Sequence, residues 1–336
     1  MIRVGFEEMQ QTLEDLFLKH RFPTDRARLC AERITENSFD GIISHGVFMV
    51  PWLIERVVRG SIDSSVDPRA VGSLGVIEQW DGKGGLGIYN AVRATERALE
   101  IAGEFGIGCV ALKNTNHWFR AGSYGWQAVR SGAGLIAWTN TESNMPVWGA
   151  VEKSVGNNPL VIAVPHPRTP IVLDISMSQF ALGKLRLYAR RNSELPVPGG
   201  YNDKHELISD PGTILESGRL LPIGFWKGSG LAIVLDALAA VLSGGLSTAQ
   251  LDQQEEERNV SQVFIAFNLA GFDPSSVHSQ LDRILEHLHD ARPLDPSQGI
   301  RHPGQRVLEL RESNRRDGLM LDEEIWEAVL RLYRGA

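Results

Sequence analysis

Cysteine is almost absent from this chain of 336 residues: only Cys30 and Cys109 occur. That excludes a disulfide framework and a cysteine-rich zinc site, and both thiols read as small buried apolar groups. Basic charge is in deficit. Lys and Arg number 34 against 41 Asp and Glu, a net charge of −7, whereas a sequence-independent nucleic-acid binder needs a cationic surface. Long apolar runs are also missing. The most apolar stretch, residues 230–246, is broken by Asp236 and falls short of the roughly 20 residues of a membrane span. Glu7, Glu8, Glu14 and Asp15 near the start exclude a signal peptide, so a soluble, cytoplasmic protein is expected. There is no internal repeat and no low-complexity tract. Glycine, by contrast, is abundant: 34 of 336 residues exceeds the average of about 7%, and predicts tight turns and close backbone approaches.

The length suits about two domains. Residues 6–20 place Phe6, Met9, Leu13, Leu16 and Phe17 on one helical face, a second helix follows Pro23 to about Phe39, and residues 47–59 resume the pattern after Ser44-His45-Gly46. From Gly72 the character changes. Residues 75–80, 108–113, 134–140, 160–164, 171–175 and 262–268 read as short strands, with helices over 89–105 and 230–242. Residues 190–221, rich in Gly, Pro, Asn and Asp, read as a long surface excursion. The tail returns to helices. The expected organisation is a discontinuous helical outer domain, 1–72 plus 274–336, around a sheet domain, 73–273.

Two glycine-rich segments invite a nucleotide reading. Gly82-Lys83-Gly84-Gly85-Leu86-Gly87 matches G-x-G-x-x-G between a strand and a helix. Its approach, Glu78-Gln79-Trp80-Asp81, is too polar for a buried first strand, and the next strand ends in Lys113-Asn114 rather than an acid for the ribose. The segment is therefore read as a structural turn. Trp226-Lys227-Gly228-Ser229-Gly230 runs straight into an apolar helix. Free amides, small residues and one lysine at a helix start suit a pyrophosphate, and an ordinary cap is the alternative.

Of the nine histidines, His20, His205, His278, His287, His289 and His302 read as surface residues, and His166 lies in a Pro-rich turn. His45 stands between Ser44 and Gly46 where loop meets helix. It could give a proton to a substrate oxygen, or could be incidental beside a capping serine. His117 follows a buried strand in Asn116-His117-Trp118-Phe119-Arg120. Arg120 there could hold a carboxylate at two points, and Asn140 ends the next strand in the same manner.

The ordered segments Ser44-His45-Gly46-Val47, Asn116-His117, Trp138-Thr139-Asn140, Met145-Pro146-Val147-Trp148-Gly149, Asn158-Pro159, Leu173-Asp174-Ile175-Ser176-Met177-Ser178 and Lys227-Gly228 resemble the type-2 malate/L-lactate dehydrogenase family of NAD(P)-dependent oxidoreductases. Within that family the chain is similar to reductases of a diketo sugar acid. The resemblance implies an α/β, non-Rossmann NAD(P)-binding fold with a mixed, largely antiparallel sheet, an outer helical layer from both termini, and a homodimer. It implies reduction of a small 2-oxo acid, with His45 as proton donor and Ser44, His117, Arg120 and Asn140 at the substrate. It implies NADH, with NADPH as the alternative, held by Pro170, Ile171, Val172, Leu173, Asp174, Ile175, Ser176, Trp226, Lys227, Gly304, Gln305 and Arg306. No metal is expected, because no acid sits at ligand spacing beside His45 or His117. A 2-hydroxy-acid dehydrogenase of the same family and a non-catalytic binder are the rival readings. Met49 stands where many relatives carry an arginine, leaving Arg120 or Arg56 as the substrate's carboxylate clamp. Since reduction consumes a proton, the free enzyme is expected to carry His45 protonated.

Overall fold

The computed structural model describes residues 1–297 and 299–335. The strands are β1 (Ile2–Val4), β2 (Arg69–Leu74), β3 (Ile77–Asp81), β4 (Ile107–Thr115), β5 (Ala133–Thr139), β6 (Met145–Pro146), β7 (Lys153–Val155), β8 (Leu160–Val164), β9 (Ile171–Ile175), β10 (Gly200–Tyr201), β11 (Leu207–Ile208), β12 (Val260–Asn268) and β13 (Leu319–Leu321). The helices are α1 (Phe6–Lys19), α2 (Thr24–Phe39), α3 (Val50–Val58), α4 (Gly87–Phe105), α5 (Gly122–Arg130), α6 (Leu182–Arg190), α7 (Pro211–Ser217), α8 (Trp226–Ser243), α9 (Thr248–Leu251), α10 (Pro274–His289), α11 (Gln305–Asp317) and α12 (Glu323–Arg334).

Seven strands form one sheet in the order β2-β3-β4-β12-β5-β8-β9. β3 and β4 run parallel, joined by α4 as a crossover, and every other neighbouring pair in the sheet is antiparallel. This is the mixed, largely antiparallel sheet expected, and its order is not that of a Rossmann fold. The central strands β4, β12 and β5 are apolar on both faces because helices cover both. α4 and α5 pack one face through Ala98, Ile101, Tyr124 and Trp126. α8 packs the other through Ala232, Leu235 and Ala239, and the Trp138 indole donates to the Leu235 carbonyl at 2.9 Å. β9 is left as an open edge.

Both chain ends meet in one layer. β1 pairs with β13, Ile2 opposite Leu321. Met9, Leu13 and Leu16 of α1 share a core with Ile34 and Phe39 of α2, Leu53 and Ile54 of α3, and Trp326 and Val329 of α12. α10 departs from the expectation that everything after 274 joins this layer. Its Asp282 accepts from His166 Nε2 at 3.3 Å and its His278 ring meets His166 edge-on, which ties it to the β8–β9 turn on the sheet side. His302, expected at the surface, is buried, as is His166 in its Pro-rich turn.

The segment expected as a surface excursion is in fact part of a core. Leu195, Ile214 and Leu220 are buried with Met177 and Leu185. Its Gly and Pro residues shape short elements instead of a loose loop. Both cysteines are buried and unpaired.

Candidate active site

The loop from α2 to α3 is shaped by one close approach. A Cβ on Gly46 would lie 2.3 Å from the Ser38 hydroxyl oxygen of α2. With no side chain there, the Val47 amide donates to that hydroxyl at 2.9 Å. The loop folds as two short turns, Ile43–His45 and Val47–Met49, before α3 begins. His45 is fixed from both ends: Asn37 donates to its carbonyl at 3.0 Å, and its Nδ1 lies 3.1 Å from Ser44 Oγ. α6 closes over Ser44 through Gly183, where a Cβ would sit 2.6 Å from the Ser44 Cβ.

His117 arrives from the sheet. The glycine turn rejected above as a nucleotide motif holds it: Asn116 donates to the Gly84 and Gly85 carbonyls at 2.9 and 2.8 Å. A Cβ on Gly87 would lie 2.3 Å from the Asn116 carbonyl oxygen and 2.2 Å from that of His117. The glycines therefore cradle the His117 loop and not a phosphate. The Phe119 amide donates to His117 Nδ1 at 3.1 Å, so Nε2 carries the proton. The His45 and His117 rings face each other, 5.9 Å between centroids and 17° from parallel, and Trp52 of α3 meets His117 edge-on.

Burial and the proximity of His117 lower the His45 pKa to about 4, against an opposing pull from the Asp174 carboxylate. Burial lowers His117 to about 4 as well. The neutral imidazole is thus the resting form at neutral pH, which corrects the expectation of a protonated free enzyme. The apolar walls that shape the site oppose the charge.

Arg120 is also not as expected. It is buried, and its guanidinium meets Asp40 at 2.6 Å and Asp174 at 3.2 Å. Asp40 in turn takes a two-point contact from Arg311 at 2.7 and 2.8 Å. The chain Arg311–Asp40–Arg120–Asp174 links α11, α2 and β9, and Arg120 is spent on it rather than left for a substrate carboxylate. Asn140 is similar. Its amide donates to Asp236 at 2.8 Å and to the Leu246 carbonyl at 2.7 Å, and accepts from the Ser261 amide at 2.7 Å. It lines the site but binds the protein to itself.

The three candidate cofactor segments meet along the open edge β9. At its start, the Val172 amide donates to the Pro303 carbonyl at 3.0 Å, and Gly304 begins α11 with φ +95°. A Cβ there would press on Val172 N at 3.1 Å. At its end, the Ile223 amide donates to the Met177 carbonyl at 2.8 Å, which brings Ser176 beside the start of α8. Gly228 has no room for a Cβ, 2.3 Å from the Ile223 carbonyl oxygen, while Trp226 and Lys227 stand exposed. An exposed lysine, a fresh helix start and a strand edge suit an extended, phosphate-bearing ligand.

Residues 4–330 match the family model described as malate/L-lactate dehydrogenase. The chain belongs to that family. It is 40% identical to the 2,3-diketo-L-gulonate reductase of Klebsiella pneumoniae over 331 residues, covering 98% of this chain and 99% of that protein. Its fold is also that of malate dehydrogenase from Entamoeba histolytica, with a TM-score of 0.94 at 22% identity over 99% of this chain and 98% of that one. Sulfolactate dehydrogenase from Methanocaldococcus jannaschii gives 0.89 at 26% identity over 99% and 97%. The protein is accordingly an NAD(P)-dependent oxidoreductase of hydroxy and oxo acids. Sequence reasoning missed the neighbours that tune the site. Asp40 lies 80 residues from its partner Arg120, and no local pattern marks it.

Proposed function

We propose that the protein reduces a hydroxyl-bearing 2-oxo acid of the 2,3-diketo-L-gulonate type, with NADH as the reductant and His45 as the proton donor. The observation that carries this reading is the facing pair of His45 and His117 beside the β9 edge, in a chain that matches a diketo acid reductase over its full length. When bound, the nicotinamide supplies the hydride. Ser44 holds Nδ1 of His45, so Nε2 gives its proton to the substrate oxygen and the ring ends as the neutral Nδ1–H form. His117 Nε2–H orients the substrate from the other side. A substrate carboxylate and Asp174 both favour the imidazolium, so protonation accompanies substrate binding. Pro170 to Ser176, Trp226, Lys227, Gly304, Gln305 and Arg306 would hold the cofactor along β9. On this reading the helical layer of the two termini supplies the acid, and the sheet supplies the cofactor edge.

A cytoplasmic homodimer completes the proposal. Ile233, Val234, Leu238 and Val241 form an exposed apolar stripe on the outer side of α8, and by length and composition alone that helix could cross a membrane. A second copy covering this stripe accounts for it in a family of enzymes acting on small acids. NADH consumption with a panel of 2-oxo acids tests the activity, and no turnover with either NADH or NADPH would overturn it. Sedimentation tests the assembly, and a fully active monomer would remove the dimer.

A further inference from the structure

The start of α11 is short of acid. No Asp or Glu occurs in residues 296–308, nor in residues 164–173, which hold the β8–β9 turn. The two segments touch at Gly304, where a Cβ would lie 3.1 Å from Val172 N and 3.5 Å from the Pro170 carbonyl oxygen. Two carboxylates reach them from outside, and both are engaged. Glu309 accepts from Gln305 Nε2 at 3.1 Å and pairs with Arg301 at 3.5 Å. Asp282 lies 3.3 Å from His166 Nε2 and 4.0 Å from the Arg168 guanidinium. Arg306 is different. It is exposed, and among the described residues no carboxylate pairs with it.

Two buried polar atoms border the same turn with no partner among the described residues. One is Nε2 of His302, and the other is the indole N–H of Trp126, whose ring edge would lie 3.4 Å from a Gly304 Cβ. Buried polar atoms are normally paired, so both fit a turn that takes a polar ligand. The charge says which. A ribose with a free 2′-hydroxyl is held by a carboxylate acceptor, and a ribose 2′-phosphate by an arginine. This turn has the arginine and no uncommitted carboxylate. Direction along β9 is set by the chemistry. Asp174 pulls on His45, so the nicotinamide belongs near the later part of the strand. Three residues of strand, roughly 10 Å, separate Asp174 from Ile171 at the α11 end.

We infer that the adenosine ribose of the cofactor lies at this turn and that Arg306 binds a 2′-phosphate on it, so that the enzyme takes NADPH as well as NADH. The inference rests on the cofactor placement along β9 proposed above, and it assigns the adenosine to one end of that strand.

The test titrates 2′,5′-ADP and 5′-AMP, the adenosine end with and without the 2′-phosphate, into the wild type, Arg306→Ala and Arg306→Lys by calorimetry. NADPH and NADH are titrated beside them by nicotinamide fluorescence. The wild type should bind 2′,5′-ADP more tightly than 5′-AMP by roughly tenfold or more, the scale of a hydrogen bond to a charged group. The preference should shrink with added salt, because Arg306 is exposed. Arg306→Ala should abolish it while leaving the 5′-AMP affinity unchanged, and Arg306→Lys should keep part of it. NADPH and NADH should follow the same pattern. Equal affinity for 2′,5′-ADP and 5′-AMP in the wild type, or a preference that survives Arg306→Ala, would overturn the inference while leaving the oxidoreductase reading intact. A wild type that binds neither NADPH nor NADH would overturn both. Thermal melting of each variant separates loss of fold from loss of the contact.

Discussion

Replacing His45 with Gln exposes the mechanism most directly. In the free protein its pKa is lowered to about 4 by burial and by His117. At pH 7 roughly one molecule in a thousand then carries the imidazolium, since each unit below the ambient pH is a tenfold loss. The proposed mechanism uses that form, so on this reading substrate binding brings the proton with it. The sign follows. For reduction, kcat/KM reports the free enzyme and should fall about tenfold per unit as pH rises above the lowered pKa. The kcat profile reports the complex, where the substrate carboxylate and Asp174 favour the charge, so its fall should come at distinctly higher pH. Oxidation of the product needs the neutral base and should rise where reduction falls. Removing the acid should cost about 10² to 10⁴ in kcat, with NADH binding nearly unchanged because the proposed cofactor contacts lie on β9, α8 and α11. Steady-state rates from acid to alkaline pH, with direct titration of NADH, check all of this. Near-normal turnover in His45→Gln, or a reduction profile that is flat in kcat/KM, would refute the assignment.

Other perturbations separate structural residues from binding ones. Arg120→Met should destabilise the protein by about 3 kcal/mol, because it leaves the buried Asp40 with Arg311 as its one charged partner; urea denaturation measures this, and a variant of normal stability with a raised KM would instead make Arg120 a substrate clamp. Gly87→Ala should disrupt the His117 loop, since its Cβ has no room against two carbonyls, whereas Gly84→Ala meets no atom within 4 Å and faces only the backbone cost of φ +67°, about 1–2 kcal/mol. Melting temperature and kcat for the pair should therefore diverge, and equal, small effects would count against the cradle. Lys227→Ala should weaken NADH binding by about 1.5 kcal/mol if it meets the pyrophosphate, measured by fluorescence titration; unchanged affinity for both nicotinamide cofactors would remove it from the site. Val234→Lys with Leu238→Lys should shift sedimentation toward the monomer if the α8 stripe is the dimer face.

Much of the fold can be read along the chain. β8 and β9 lie where alternation and flanking turns put them, and α1 and α2 begin and end within a residue or two of the expected bounds. α1, α2 and β8 bury a clear apolar face, so the local pattern and the tertiary demand agree. β2 was not visible: all six of its residues are exposed, and it is a strand only because β3 offers it a partner. The 190–221 segment misled for the opposite reason. Its turn residues are dense, yet Leu195, Ile214 and Leu220 fill a core that neighbouring elements supply.

The amino-acid order by itself determined the family motifs, the charge balance, the alternation of helical ends with a strand-rich middle, and the nomination of His45 and His117. Each of these is encoded within a few residues. The tertiary structure decided what those residues experience. It buried His45 against His117 and so disfavoured the imidazolium form. It spent Arg120 on Asp40 and Asp174, which come from distant parts of the chain. It made the glycine motif the support of the His117 loop. Charge state and availability depend on neighbours brought together by folding, and no local spacing carries that information.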